Sequence, residues 1–147
     1  MQTTSNQILA FELGSEQYGF DILKVQEIKG YSAITPIPNA PHYMKGVMNL
    51  RGTVVPVLAL REKFGMESLP YDKFTVIIVV TVASRVIGLM VDAVSDVMTL
   101  TESLEPPPEL GTAVDTSFIT GMAKVGDKFV VVLDIGQLVG DIESRGP

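Results

Sequence analysis

The chain contains no cysteine and no tryptophan, and histidine occurs once. Without cysteine there is no disulfide framework, no thiol nucleophile and no thiolate metal site, and the composition fits a reducing cytosol. The single histidine, His42, stands in a proline-rich loop with no patterned carboxylate to orient it as a general base, so it reads as a surface residue. Basic residues are few, with 11 Lys and Arg against 17 Asp and Glu and a net charge of −6. A nucleic-acid groove needs clustered cations to displace counterions, and here they are spread along the chain. Long apolar runs are also missing. Even a run such as residues 76–80, which none exceeds, falls far short of the roughly 20 residues that cross a bilayer. The start, MQTTSNQ, lacks a basic stretch followed by an apolar core, so no secretory signal is expected. There is no GxSxG elbow, and GVMNLRG lacks the Lys-Ser/Thr end of a P-loop. Asp92 and Asp96 follow no metal-ligand spacing and read as solvated. The expectation is a cytoplasmic, non-enzymatic protein with no cofactor, no metal, no nucleic-acid partner and no membrane insertion.

What the chain does contain is a repeat. Residues 8–28 align without a gap on residues 77–97, so that Gly19 meets Gly88, Val25 meets Val94, Glu27 meets Asp96 and Ile28 meets Val97. Residues 43–60 align on residues 118–135, so that Gly46 meets Gly121, Val55 meets Val130 and Leu58 meets Leu133. Two copies of a strand-rich unit imply two small similar subdomains. Hydrophobic residues make up 46% of the 147, enough for a large core. No charge-rich or Gly/Ser-rich linker separates the copies, about 8–60 and 77–135, so residues 1–147 are expected to form one rigid domain in which strands can be exchanged between the halves.

Local patterns supply the elements. Leu9, Phe11 and Leu13 alternate with their neighbours, the period of a half-buried strand over 8–13. Residues 14–17 turn the chain into a return strand over 18–22, and 25–30 read as a third strand. Residues 35–41, with three prolines, form a loop. Residues 46–50 and 53–58 pair about Arg51-Gly52, and 59–65 make a short helix ended by Gly65. The second copy repeats the order. A Val/Ile-rich strand covered on both faces runs over 74–82, with strands over 86–92, 94–99, 119–125 and 128–134, and a helical turn over 134–139. About ten short strands at this spacing indicate an all-β molecule of barrels or a sandwich.

The copies differ where binding chemistry is expected. The first hairpin carries Asn49-Leu50-Arg51-Gly52, the second Lys124-Val125-Gly126-Asp127. An arginine at a tight turn can join two elements, with Glu27 the candidate partner, or grip a partner's carboxylate. Val25, Ile28 and Val97, with Glu27 and Asp96 beside them, would line an apolar groove with an acidic edge, the kind that takes an amphipathic helix. Met44, Met48, Met90, Met98 and Met122 either make such surfaces adaptable or fill the core. The loop EPPPEL (105–110) either presents Glu105, Glu109 and Leu110 to another protein or is a plain solvent loop.

Taken together, YGFDILKVQEI, KGVMNLRGTVVPVLALREKFG and VIGLMVDAVSDVMTL resemble the CheW-like family of chemotaxis coupling proteins, and the resemblance runs from Ile8 to Val139. It implies two intertwined five-stranded SH3-like β-barrels around a shared hydrophobic core. It implies an adaptor, not an enzyme, that joins the cytoplasmic helical tips of chemoreceptors to the regulatory domain of the histidine kinase CheA. The receptor tip would lie against Val25, Glu27, Ile28, Gly46, Asn49, Arg51 and Val97. The kinase would meet Ile22, Tyr43 and Lys45 on one side and Glu105, Glu109 and Leu110 on the other. Glu105 departs from the family pattern, in which a basic residue is familiar. The competing readings are the coupling domain of a receiver-fused, CheV-type protein and, in another class, a small-ligand barrel.

Overall fold

The structure, a computed structural model, describes residues 6–67, 70–100, 103–106 and 117–139. Within them are ten strands. β1 (Gln7–Leu13) and β2 (Glu16–Asp21) form a hairpin, and a 3-10 turn, Ile22–Lys24, leads into β3 (Val25–Gly30). β4 (Met44–Leu50) and β5 (Thr53–Ala59) form a second hairpin that ends in the one-turn helix α1 (Leu60–Lys63). The order then recurs as β6 (Val76–Val82), β7 (Arg85–Val91), β8 (Ala93–Thr99), β9 (Ile119–Val125), β10 (Lys128–Leu133) and α2 (Ile135–Leu138). Two boundaries move from the sequence reading for local reasons. β2 starts at Glu16 because Gly14 adopts a φ of +64° and closes a two-residue turn with Ser15. β6 starts at Val76 because the Asp72 carboxylate accepts hydrogen bonds from the amides of Phe74 (2.8 Å) and Thr75 (3.2 Å), holding residues 72–75 as a side-chain-closed turn.

One sheet runs β8-β1-β2-β10-β9 and the other β3-β6-β7-β5-β4. Shifting each strand number by five converts one order into the other. Each sheet draws strands from both halves of the chain: β3 leaves β1 and β2 to pair with β6, and β8 crosses back to pair with β1. Within each sheet one contact is parallel, β2 with β10 and β5 with β7, and the rest are antiparallel.

The apolar side chains sort into three cores. The largest lies between the sheets and takes Leu9, Phe11 and Leu13 from β1, Ile78 and Val80 from β6 and Leu89 from β7, with Leu60 and Leu138 from the two helices. A second fills the curl of one sheet with Met48, Val55, Val57, Ile77, Val79 and Met90. A third fills the other with Ile8, Ala123, Val130 and Val132. β1 therefore is not half-buried as its alternation predicts. Leu9, Phe11 and Leu13 face the shared core while Ile8 faces the curl of its own sheet, so both faces are covered. Met48 and Met90 are core residues, and Met44 and Met98 pack against core, so these methionines are fillers rather than an adaptable surface.

Neither strand order closes by regular pairing, since β3 and β4 end one order and β8 and β9 the other. Loops span the gaps. Thr35 bridges Val47 on β4, and Glu105 bridges Met122 on β9. Both crossings need a glycine beneath them. A Cβ on Gly46 (φ +143°) would stand 2.0 Å from the Thr35 carbonyl oxygen, and one on Gly121 would stand 2.8 Å from that of Glu105. Gly46 and Gly121, matched in the repeat, thus mark the two places where a loop backbone lies on a strand.

Candidate interaction site

The register of β3 against β6 slips between Val25 and Glu27. Val25 pairs with Val80 and Ile28 with Ile78, both shared-core residues, so the bulge at Gln26 returns Val25 and Ile28 to the same face. Glu27, opposite Val79, looks toward the curl of its own sheet. The register of β8 against β1 slips in the matching place, and Val97 lies opposite Leu9. Ile28 and Val97 thus stand at corresponding margins of the shared core, one on each sheet, and both are open to solvent at 43% and 45% exposure. Val25 is half-buried against the core.

The β4–β5 turn brings Arg51 to this margin. Arg51 and Gly52 take φ values of +49° and +89°, the pair of left-handed residues that a two-residue hairpin turn of matching twist requires. The Asn49 side-chain oxygen accepts the Gly52 amide at 2.8 Å and fixes the turn. Arg51 then grips Glu27 with both terminal nitrogens, one to each carboxylate oxygen. β3 and β4 are opposite ends of the strand order, so this pair draws the ends of the sheet together where no strand pairing does. The hydrogen bonds from Arg51 hold the Glu27 carboxyl below its ordinary range, and the same pair raises the guanidinium.

Six of the seven residues expected on the receptor side lie at or near an exposed surface. Gly46 does not; it is buried beneath residues 35 and 36, and its role is to let the loop pass. On the other expected surface, Ile22 and Tyr43 pack against the shared core. The Lys63 ammonium lies 4.2 Å from the Tyr43 ring centre, and His42, exposed as expected, meets that ring edge-on. Lys45 is engaged internally, 2.8 Å from the largely buried Glu62. Glu105 is exposed at its bridge to Met122. Glu109 and Leu110 lie outside the described residues.

Two features escape the sequence reading. Asp92 is not merely solvated: it accepts hydrogen bonds from Arg61 Nε and from the Gly14 amide, each at 2.8 Å, and so ties α1 and the β1–β2 turn to the crossing from β7 to β8. The signal was the charged triplet Arg61-Glu62-Lys63 directly after an apolar strand. Second, a cleft of about 410 Å³ opens beside Ile22, lined by Phe20, Asp21, Lys24, Leu104 and Asp134 among others, and Leu23 projects into solvent next to it. No group of three or more His, Cys, Asp or Glu side chains able to hold a metal ion occurs among the described residues. No helix among them is long and apolar enough to cross a membrane. What the arrangement offers is an exposed apolar residue, Ile28, beside a paired charge on one sheet, and its apolar counterpart, Val97, exposed on the other.

The CheW-like domain profile matches residues 7–143, nearly the whole chain. The chain belongs to the CheW-like domain family. It is similar to the chemotaxis protein CheW of Klebsiella aerogenes, at 45% identity over 97% of this chain and 86% of that protein. It is similar also to the probable chemotaxis protein CheW of Rhizobium etli, at 35% identity over 95% of this chain and 90% of that one. Among solved structures, the scaffolding protein TtCheW of Thermoanaerobacter tengcongensis superposes with a TM-score of 0.80 at 39% identity, covering 89% of each chain. The expected all-β fold of two five-stranded units about a shared core stands on these sheets and on that superposition.

Proposed function

We propose that this CheW-like chain is a non-enzymatic adaptor of chemotaxis signalling. It holds the cytoplasmic helical tip of a chemoreceptor on one surface and the regulatory domain of the kinase CheA on another, in the cytoplasm at membrane-associated receptor arrays. The names of its relatives, chemotaxis proteins and a scaffolding protein, support this reading. The observation that carries it is the Glu27–Arg51 pair set beside exposed Ile28, with Val97 in the corresponding place on the second sheet. An amphipathic helix needs an apolar strip to cover and a polar edge to fix its register.

The receptor surface comprises Val25, Glu27, Ile28, Asn49, Arg51 and Val97, with Gly46 supporting it from beneath. The kinase surface comprises Ile22, Tyr43 and Lys45, together with Glu105, Glu109 and Leu110. The test is a titration of a receptor cytoplasmic fragment onto the wild-type chain and the Arg51→Ala variant. The expected result is saturable binding weakened roughly tenfold by the substitution, with the circular-dichroism spectrum unchanged, since truncating a central arginine commonly costs an interface that much. Unchanged affinity in a folded Arg51→Ala protein would remove the pair from the receptor surface.

A further inference from the structure

The two halves of the repeat treat one position of the fold differently. In the first, a cleft lies between Lys45, Ala59 and Met90. In the second, the cleft beside Ile22 lies between Thr120, Asp134 and Asp21, the same three positions of the repeat. The connection from α1 to β6 adds Pro70, Tyr71, Asp72 and Thr75 to the wall of the first, and that cleft holds only about 110 Å³. The Tyr71 ring centre lies 4.5 Å from that of Tyr31. The described lining of the second cleft includes no residue before β1 or after α2, and it opens to about 410 Å³. Leu100 stands there, three residues past Val97 as Tyr31 is three past Ile28. With Leu104 it packs against the small core of Ile8 and Val132, so the cleft has an apolar floor.

We propose that the larger cleft docks an extended segment of a partner protein that carries an aromatic side chain beside an arginine or lysine. The first half supplies the pattern for the apolar part, because there the chain places its own aromatic ring, Tyr71, at the matching cleft. Charge supplies the rest. The first cleft balances its charges internally, with Lys45 on Glu62 and Arg61 on Asp92, each at 2.8 Å. In the second half Thr120, Gln137, Gly136 and Leu23 hold those four places, so neither pair recurs. What lines the second cleft instead is two carboxylates, Asp21 and Asp134, against the one ammonium of Lys24. Each carboxylate is fixed by a backbone amide, Asp21 by Leu23 at 2.9 Å and Asp134 by Gln137 at 3.2 Å, and a carboxylate accepts several donors. The surplus is negative, so the occupant brings the cation. A second copy would bring a net charge of −6, and repulsion at long range opposes that approach. Asp21 and Leu104 adjoin Ile22 and Glu105, so the cleft borders the proposed kinase surface, but the chemistry of the occupant is read from the two halves alone and does not rest on that function.

The experiment uses the full chain, labelled with 15N, and a fluorescein-tagged octapeptide in which one phenylalanine stands between two arginines on a glycine–serine background. One control peptide has alanine for the phenylalanine, and another has glutamine for both arginines. The phenylalanine–arginine peptide is expected to bind with a Kd on the order of 100 µM, as small interfaces do, and to shift the amide resonances of residues 20–24, 100, 104, 120 and 132–135. The alanine control is expected to bind at least about tenfold more weakly and the glutamine control about fivefold. Asp134→Asn keeps the helix cap and removes the charge, so it is expected to cost the arginine peptide about fivefold and the glutamine peptide nothing. Thr120→Trp places a ring at the exposed rim and is expected to abolish binding with the circular-dichroism spectrum unchanged. Equal binding of the phenylalanine and alanine peptides, unchanged affinity in folded Thr120→Trp, or no shift at ~2 mM peptide would overturn the proposal. So would concentration-dependent shifts of these amides without peptide, which would assign the cleft to a second copy. Nuclear Overhauser contacts from residues 1–5 or 140–147 to Leu104 in the free chain would overturn it too, by assigning the cleft to the chain itself.

Discussion

At the scale of single residues, Arg51 and the glycines divide the work between charge and space. The Arg51 hydrogen bonds depress the folded pKa of Glu27 below its ordinary 4.5. A depressed carboxyl contributes stability above its unfolded pKa, and the contribution is lost as pH falls through the folded value. Arg51 is exposed and Glu27 partly so, and solvent and salt screen the pair, so its effect on overall stability is small. The clearer signal is the titration itself. Carbon-detected NMR of the Glu27 carboxyl is expected to show a midpoint below the usual glutamate range in the wild type and a return toward that range in Arg51→Ala. The same midpoint in both proteins would contradict the paired geometry. Gly46 makes a steric prediction. Gly46→Ala places a methyl on the Thr35 carbonyl and breaks the bridge to Val47, at a cost of at least ~3 kcal/mol. Gly52→Ala has open space around its Cβ and only the strain of a positive φ, about 1 kcal/mol. Urea denaturation of the two variants reads the difference, and equal losses would count against the loop crossing.

At the scale of elements, hairpins were legible and their partners were not. Alternation, Val/Ile runs and the turns at Arg51-Gly52 and Gly126-Asp127 are local signals, and the ten strands follow them. The pairing of β3 with β6 and of β8 with β1 has no local signal, because residues far apart in sequence satisfy each other's backbone groups. The repeat allowed exchange between the halves without saying which strands change places. The burial of Ile8 was hidden for the same reason: a strand looks half-buried until the sheet on its second side is known. Glu27 with Arg51 was legible, since an acid on one strand and an arginine at a tight turn were the unusual features of the first copy. Lys45 with Glu62 and Arg61 with Asp92 were not, because α1 is a single turn whose orientation depends on packing. The Asp92 contacts predict that Asp92→Asn, which keeps the shape and removes the charge, lowers the thermal midpoint by roughly 3–8 °C. A midpoint within a degree of wild type would show that α1 is held by Leu60 alone.

At the scale of the whole molecule, the interleaved sheets and the core between them make one cooperative unit. Leu89→Ala in the shared core is expected to cost about 2–5 kcal/mol and to shift a single unfolding transition without splitting it, because both sheets lose the contact together. Two resolved transitions in circular dichroism would mean that the sheets unfold separately. Rigidity of this kind is what the proposed adaptor role requires, and exposed Ile28 and Val97 lie opposite the shared-core residues Ile78 and Leu9. The most direct measurement is a map of backbone amide shifts in the 15N-labelled chain as a chemoreceptor cytoplasmic fragment is added. The account predicts that the largest shifts fall on Val25, Glu27, Ile28, Asn49, Arg51 and Val97. Shifts confined to the opposite surface, or none at saturating fragment, would contradict it.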